Sequence, residues 1–146
     1  MYKMFVMKEG TPISAIMTRN VVTVNKTDPL ERAEQYFKKK HIRHIPVLQN
    51  NKIAGMLSYN DLLRISFADS YSLADDFTSD SVYDMFSIDQ VMVRNVIGIS
   101  PDTTVRQAAK IFAEKEFHAL PVLEGEELVG ILTTTDIINF LLDQYE

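Results

Sequence analysis

Apolar positions along the chain follow two rhythms, a helical spacing near 3.6 residues and short unbroken runs, and the same succession of rhythms occurs twice. In the first pass a short helix is predicted from Pro12 to Met17, followed by a strand over the run Val21, Val22, Thr23, Val24. Leu30, Ala33 and Phe37 then recur at helical spacing, with Asp28 placed to cap the helix and Pro29 at its first position. Two apolar runs follow, Ile45 to Leu48 and Ile53 to Leu57, separated by Gln49, Asn50, Asn51 and Lys52, the polar chemistry of a tight hairpin. A second amphipathic helix from about Asn60 closes the unit, which reads as βαββα.

The second pass lies 75 residues on, without a gap. Met17, Arg19, Asn20 and Val21 lie over Met92, Arg94, Asn95 and Val96; Pro46, Val47 and Leu48 over Pro121, Val122 and Leu123; Gly55, Leu57 and Asp61 over Gly130, Leu132 and Asp136. The second copy predicts a short helix over Ile88 to Met92, a strand over Val96 to Ile99 and a helix capped at Thr103. Its hairpin falls at Glu124 to Glu127, and its closing helix starts from about Thr135. Duplication explains this register, and it divides the chain into a repeat at 8–64, a connecting segment at 65–87 and a repeat at 88–146. One copy alone buries too little surface for comfort, so two copies are expected to pack sheet against sheet in an α/β (α+β) fold.

Composition narrows the chemistry. The 146 residues carry 15 Lys and Arg against 20 Asp and Glu, and cysteine is absent, which excludes disulfides, thiolate catalysis and cysteine metal sites. The five glycines are too scattered for a phosphate-cradling loop. Between Arg64 and Arg94 the chain has six aspartates (69, 75, 76, 80, 84 and 89) and no Lys or Arg, so neither this segment nor the remainder forms a basic stripe for nucleic acid. No apolar run is long enough for a membrane span, and the opening Met1 to Met7 is too short for a signal peptide, so a cytoplasmic protein is expected. His41 and His44 lack a third ligand at useful spacing, so no metal site is expected. Met85 and Phe86, with the Met and Phe residues of the opening segment, are read as packing or as cover for a partner subunit.

The most informative motif ends each copy: Gly55, Ser58, Asp61 and Gly130, Thr133, Asp136, with Asn60 and Thr135 as the intervening polar residues. A hydroxyl three residues before a carboxylate at a helix start is close to a capping box. The same pair, beside main-chain N–H groups that lack helical partners, also suits a ribose diol and phosphate oxygens. Sequence alone leaves both readings open.

Together with Ile45, Pro46, Val47 and Leu120, Pro121, Val122, these motifs and the repeat resemble a tandem pair of CBS domains, named for cystathionine β-synthase, over almost the whole chain. The resemblance implies a Bateman module, two βαββα units about a pseudo-two-fold axis with two clefts that in many members bind adenosine nucleotides or S-adenosylmethionine. It implies ribose contacts at Asp61 and Asp136, and ribose or phosphate contacts at Ser58 and Asn60, or Thr133 and Thr135. Adenine would lie against Val21, Val22, His44 and Ile45 in one copy and Val96, Ile97, Ala119 and Leu120 in the other. Arg43 and His118 are the phosphate candidates. The lysines 38–40 are read first as complementing the dipole at a helix C-terminus. Asn60 against Thr135, and His44 against Ala119, imply unequal occupancy, with a mono- or diphosphate suiting the less positive second copy.

No catalytic constellation is assembled, so a non-enzymatic role is expected: a sensor of an adenine nucleotide, requiring no cofactor, that responds by a change of shape or assembly. The chain as given carries no further domain, so the output is expected to act in trans on an unidentified protein target, from a homodimer. The competing readings are a ligand-independent dimerisation module, S-adenosylmethionine binding and, last, an enzyme acting on a nucleotide.

Overall fold

A computed structural model describes residues 10–72 and 85–145. The opening Met1 to Met7, and most of the acidic connecting segment with Asp75, Asp76, Asp80 and Asp84, lie outside the described residues.

After a 3-10 turn at Ile13–Ala15 the chain forms β1 (Val24–Asn25), α1 (Leu30–Lys40), β2 (His44–Gln49), β3 (Lys52–Ser58) and α2 (Tyr59–Ser72). It continues as α3 (Ile88–Val91), α4 (Val105–Glu114), β4 (Ala119–Glu124), β5 (Glu127–Thr133) and α5 (Thr134–Asp143). One sheet has the order β1-β2-β3, parallel then antiparallel, and the other pairs β4 with β5. The fold is mixed α and β, with two sheets and their helices, as the repeat predicts.

Both hairpins turn where expected. Asn50 and Asn51 take φ of 52° and 63°, the positive pair that a two-residue primed turn demands, whereas in the second hairpin Gly125 takes φ 61°. Each hairpin is broken at the same place, between Val47 and Leu48 and between Val122 and Leu123.

The leading strands are shorter than expected. Val21 to Val24 yields only Val24–Asn25, paired to Val47 and Leu48, and Val96 to Ile99 yields one parallel bridge from Ile99 to Val122. The residues before them are taken up by turns, with Val21 N–H donating to Arg19 O and Val96 N–H to Arg94 O, both 3.0 Å. The caps also move. Pro29, held extended at ψ 148°, becomes the cap position of α1, while Asp28 accepts from Asn25 N–H at 2.8 Å and pairs with Arg32. Thr104, not Thr103, caps α4, exchanging bonds with Gln107.

The compact units cross the sequence repeats. One comprises Val22–Val96, and the other the described parts of Met1–Val21 and Ile97–Glu146. The core of the first joins Val24, Leu30, Ala33, Phe37, Ile45, Val47, Leu57 and Leu62 to Ile88 and Met92 from the lead-in of the second repeat. The other joins Ile99, Val105, Ala108, Leu120, Val122, Leu132 and Ile137 to Ile13 and Met17 from the lead-in of the first. The two sets correspond along the 75-residue register at seven positions, with the lead-ins exchanged; Phe112, the counterpart of Phe37, is only partly buried, and Phe140 joins the second core alone. Fully buried Ile13 and Ile88 each stabilise the borrowed position by about 1.5–3 kcal/mol of apolar transfer.

The motif glycines explain how a foreign lead-in fits. A Cβ on Gly55 would stand 2.7 Å from both Met92 Sδ and Val93 O, and one on Gly130 would stand 2.7 Å from Met17 Sδ and 3.0 Å from Thr18 O. Hydrogen bonds of 2.9 Å in both directions join Met56 to Val93, and of 3.0 Å join Ile131 to Thr18.

Candidate ligand-binding site

Strand β3 hands over to α2 at Ser58, and β5 to α5 at Thr133, and at both junctions the chain builds a reciprocal cap. Ser58 N–H donates to Asp61 Oδ2 at 3.2 Å while Asp61 N–H donates to Ser58 Oγ at 3.1 Å. Thr133 and Asp136 repeat this at 2.9 and 3.2 Å. The capping reading is therefore realised, with Asp in place of the usual Glu or Gln. It uses one carboxylate oxygen of each aspartate. Among the described residues no hydrogen bond reaches Oδ1 of Asp61 or Asp136, and both side chains are half-buried. A capped helix and a remaining acceptor coexist at each junction.

Beside each junction the antiparallel register sets the start of the preceding strand: His44 opposite Ser58, and Ala119 opposite Thr133. Tyr59 N–H donates to Arg43 O at 2.9 Å, and Thr134 N–H to His118 O at 3.0 Å. The structure thus gathers Arg43, His44, Ser58, Asn60 and Asp61 in one unit, and His118, Ala119, Thr133, Thr135 and Asp136 in the other. Arg43, Asn60, His118 and Thr135 are exposed. Ile45 and Leu120 are fully buried members of the two cores, and Pro46 and Pro121 are equally buried, so these four do not present free side chains.

The remaining candidates sit where the chain passes between units. Val22 and Val96 belong to the unit of β1, β2 and β3, whereas Val21 and Ile97 belong to the other. Val21, Val22 and Val96 are half-buried and Ile97 is exposed.

The surroundings of the two junctions differ in charge and shape. Helix α1 ends in three lysines, of which Lys38 pairs with Glu34 at 3.3 Å, and its end is closed by His41 in the left-handed region; α4 has no basic residue in its last turn. Tyr59 meets Phe37 edge to face at 5.4 Å, an anchor for which Thr134 offers no ring.

Sequence reasoning missed an ionic cluster. Arg94 Nη2 lies 2.7 Å and Lys26 Nζ 3.4 Å from Asp89 Oδ1, and the Arg94 guanidinium beside it holds the Asp89 carboxyl below its usual range. It gave one signal, Arg94 standing in a repeated motif, but Lys26 is 63 residues from Asp89 and no local pattern joins them. A separate open groove of about 430 Å³ lies along α4, bordered by Gly98, Ser100, Thr103, Gln107, Lys110 and Glu114, and touches none of the candidate residues. Among the described residues no helix is long and apolar enough to cross a membrane.

Comparison with known proteins agrees with this construction. A family model for the CBS domain matches residues 13–68 and 88–143. An uncharacterised protein of Methanocaldococcus jannaschii is 29% identical over 141 residues, which is 94% of this chain and 33% of that protein. The chain spans less than half the length of the curated relatives it matches first. Arabidopsis thaliana CBSX2, solved in complex with AMP, superimposes with a TM-score of 0.75 at 20% identity, covering 94% of this chain and all of that one. A CBS domain pair solved with 5′-methylthioadenosine and S-adenosyl-L-methionine gives a TM-score of 0.73 at 22% identity, covering 93% of this chain and 98% of that one. At these identities the structural likeness establishes the fold.

Proposed function

This chain belongs to the CBS domain family, and from that premise we propose that it is a regulatory ligand-sensing module that binds an adenosine-type ligand, an adenine nucleotide first. The observation that carries the reading is the second oxygen of Asp61 and of Asp136. Each carboxylate caps its helix through Oδ2 and keeps Oδ1 as an acceptor for a ribose hydroxyl, in the same place twice. The AMP and S-adenosyl-L-methionine complexes of two structural neighbours support the ligand class.

Ser58 and Asn60, with Thr133 and Thr135, lie within reach of ribose and phosphates in this reading. Val21 and Val22 with His44, and Val96 and Ile97 with Ala119, meet the base, and Ile45, Pro46, Leu120 and Pro121 contribute main chain. Arg43, near the three lysines that end α1, suits phosphate better than His118, so the junction of β3 and α2 is assigned the more highly charged ligand. Ligand binding acts by differential affinity for one arrangement of the module, and the response passes to an unidentified protein target. The module works inside the cell and pairs as a homodimer. Ile138, Leu142 and Tyr145 form a stripe on and just beyond α5 at 54, 60 and 74% exposure, a surface suited to a second copy.

A second reading has its own observation. The capping boxes engage each aspartate in a purely local helix contact, as a structural dimerisation module requires. Thermal shift with AMP, ADP, ATP and S-adenosylmethionine separates the two. A ligand at 100 times its dissociation constant adds about 2.7 kcal/mol, a rise of roughly 5 to 10 °C for a chain of this size. No shift with any of the four supports the structural module.

A further inference from the structure

The repeated motif at 17–21 and 92–96, Met-x-Arg-Asn-Val, is not used by the candidate site except through its final valine. The first three positions of the motif each have a place in the fold. Met17 and Met92 seat against Gly130 and Gly55, and the next residue, Thr18 or Val93, pairs with the strand beyond that notch. Arg19 then reaches back and donates from Nη2 to Ser14 O at 2.9 Å, and Arg94 does the same to Asp89 O at 3.0 Å, both five residues upstream. These carbonyls lie in elements too short to satisfy them from within. The clasping arginine's own carbonyl accepts the N–H of Val21 or Val96 at 3.0 Å, closing the turn that delivers the valine.

We propose that Arg19 and Arg94 are positioning residues, each clasping its lead-in so that Val21 and Val96 are held where a ligand meets them. The consequence for ligand affinity rests on the function proposed above; the clasp itself does not. The two clasps differ in chemistry. Arg94 also forms the 2.7 Å ion pair with Asp89, which Lys26 approaches at 3.4 Å, whereas the residue equivalent to Asp89 is Ser14. Salt therefore loosens the clasp at Arg94 and leaves that at Arg19 nearly unchanged.

The test is amide hydrogen exchange on the ligand-free chain, for the wild type, Arg19→Met and Arg94→Met, with AMP and S-adenosylmethionine titrated into each. Arg94→Met is expected to speed exchange at Val96 by about 3- to 10-fold, the effect of one lost hydrogen bond, and to leave Val21 unchanged, with the reverse for Arg19→Met. In the wild type, added NaCl should speed exchange at Val96 and not at Val21. Whichever ligand binds the wild type should bind at least one variant more weakly by a similar factor. Unchanged exchange in both variants overturns the clasp, and faster exchange with wild-type affinity overturns its positioning role. If the wild type binds neither ligand, the proposed function fails, and the exchange rates still decide whether the clasp exists.

Discussion

Asp89 is the clearest case of a residue whose role depends on partners that its local sequence does not announce. The Arg94 guanidinium beside it lowers its pKa, and Lys26 adds to the effect against partial desolvation. A carboxyl depressed below its unfolded value of about 3.9 stabilises the fold above that pH and loses the contribution as pH falls through the folded value. Asp89→Asn is therefore expected to lower the urea midpoint modestly at pH 7, by a difference that shrinks only as pH falls below the unfolded value and through the depressed folded one. A difference that stays constant as the pH is lowered through that range would assign the effect to packing. Ser58 with Asp61, and Thr133 with Asp136, were legible in the sequence because a cap is a contact between residues three apart. Asp28 was misplaced for a related reason: an aspartate before a proline satisfies the capping pattern, but its carboxylate is engaged by Asn25 and Arg32 instead.

Among the elements, the helices and hairpins were readable because their periodicity is local, whereas the leading strands were not. An apolar run such as Val21 to Val24 reads as a strand whichever neighbour it meets, yet only its last residue finds ladder partners on β2. The exchange of lead-ins was also hidden, since repeat register says which residues are equivalent and not which copy they pack upon. The motif glycines now acquire a packing reason. Gly55→Ala is expected to destabilise by about 1–3 kcal/mol, because the new methyl meets the Val93 carbonyl as well as a methionine. Gly130→Ala should cost less, its backbone neighbour standing at 3.0 Å and its closest contact being a flexible side chain. Equal losses on chemical denaturation would show that the methionines, not the backbone, set the fit.

For the whole molecule, the repeat, the fold class and the family were legible because duplication multiplies weak local signals, while the grouping of Val21 with one unit and Val22 with the other required coordinates. The exposed stripe of α5 carries the prediction on assembly. Light scattering after size exclusion should give the mass of two chains for the wild type and of one for Leu142→Glu; a wild-type monomer at tens of micromolar would contradict the dimer. Ligand sensing is tested most directly by the thermal response of Asp61→Asn and Asp136→Asn. Asparagine keeps one oxygen to cap the helix and replaces the second acceptor with a donor, so ligand-free midpoints should stay close to that of the wild type. The account predicts that AMP or S-adenosylmethionine raises the wild-type midpoint by roughly 5 to 10 °C at saturation and that at least one asparagine variant loses most of that rise. A full rise in both variants and in the double variant would contradict it, leaving the aspartates as helix caps alone.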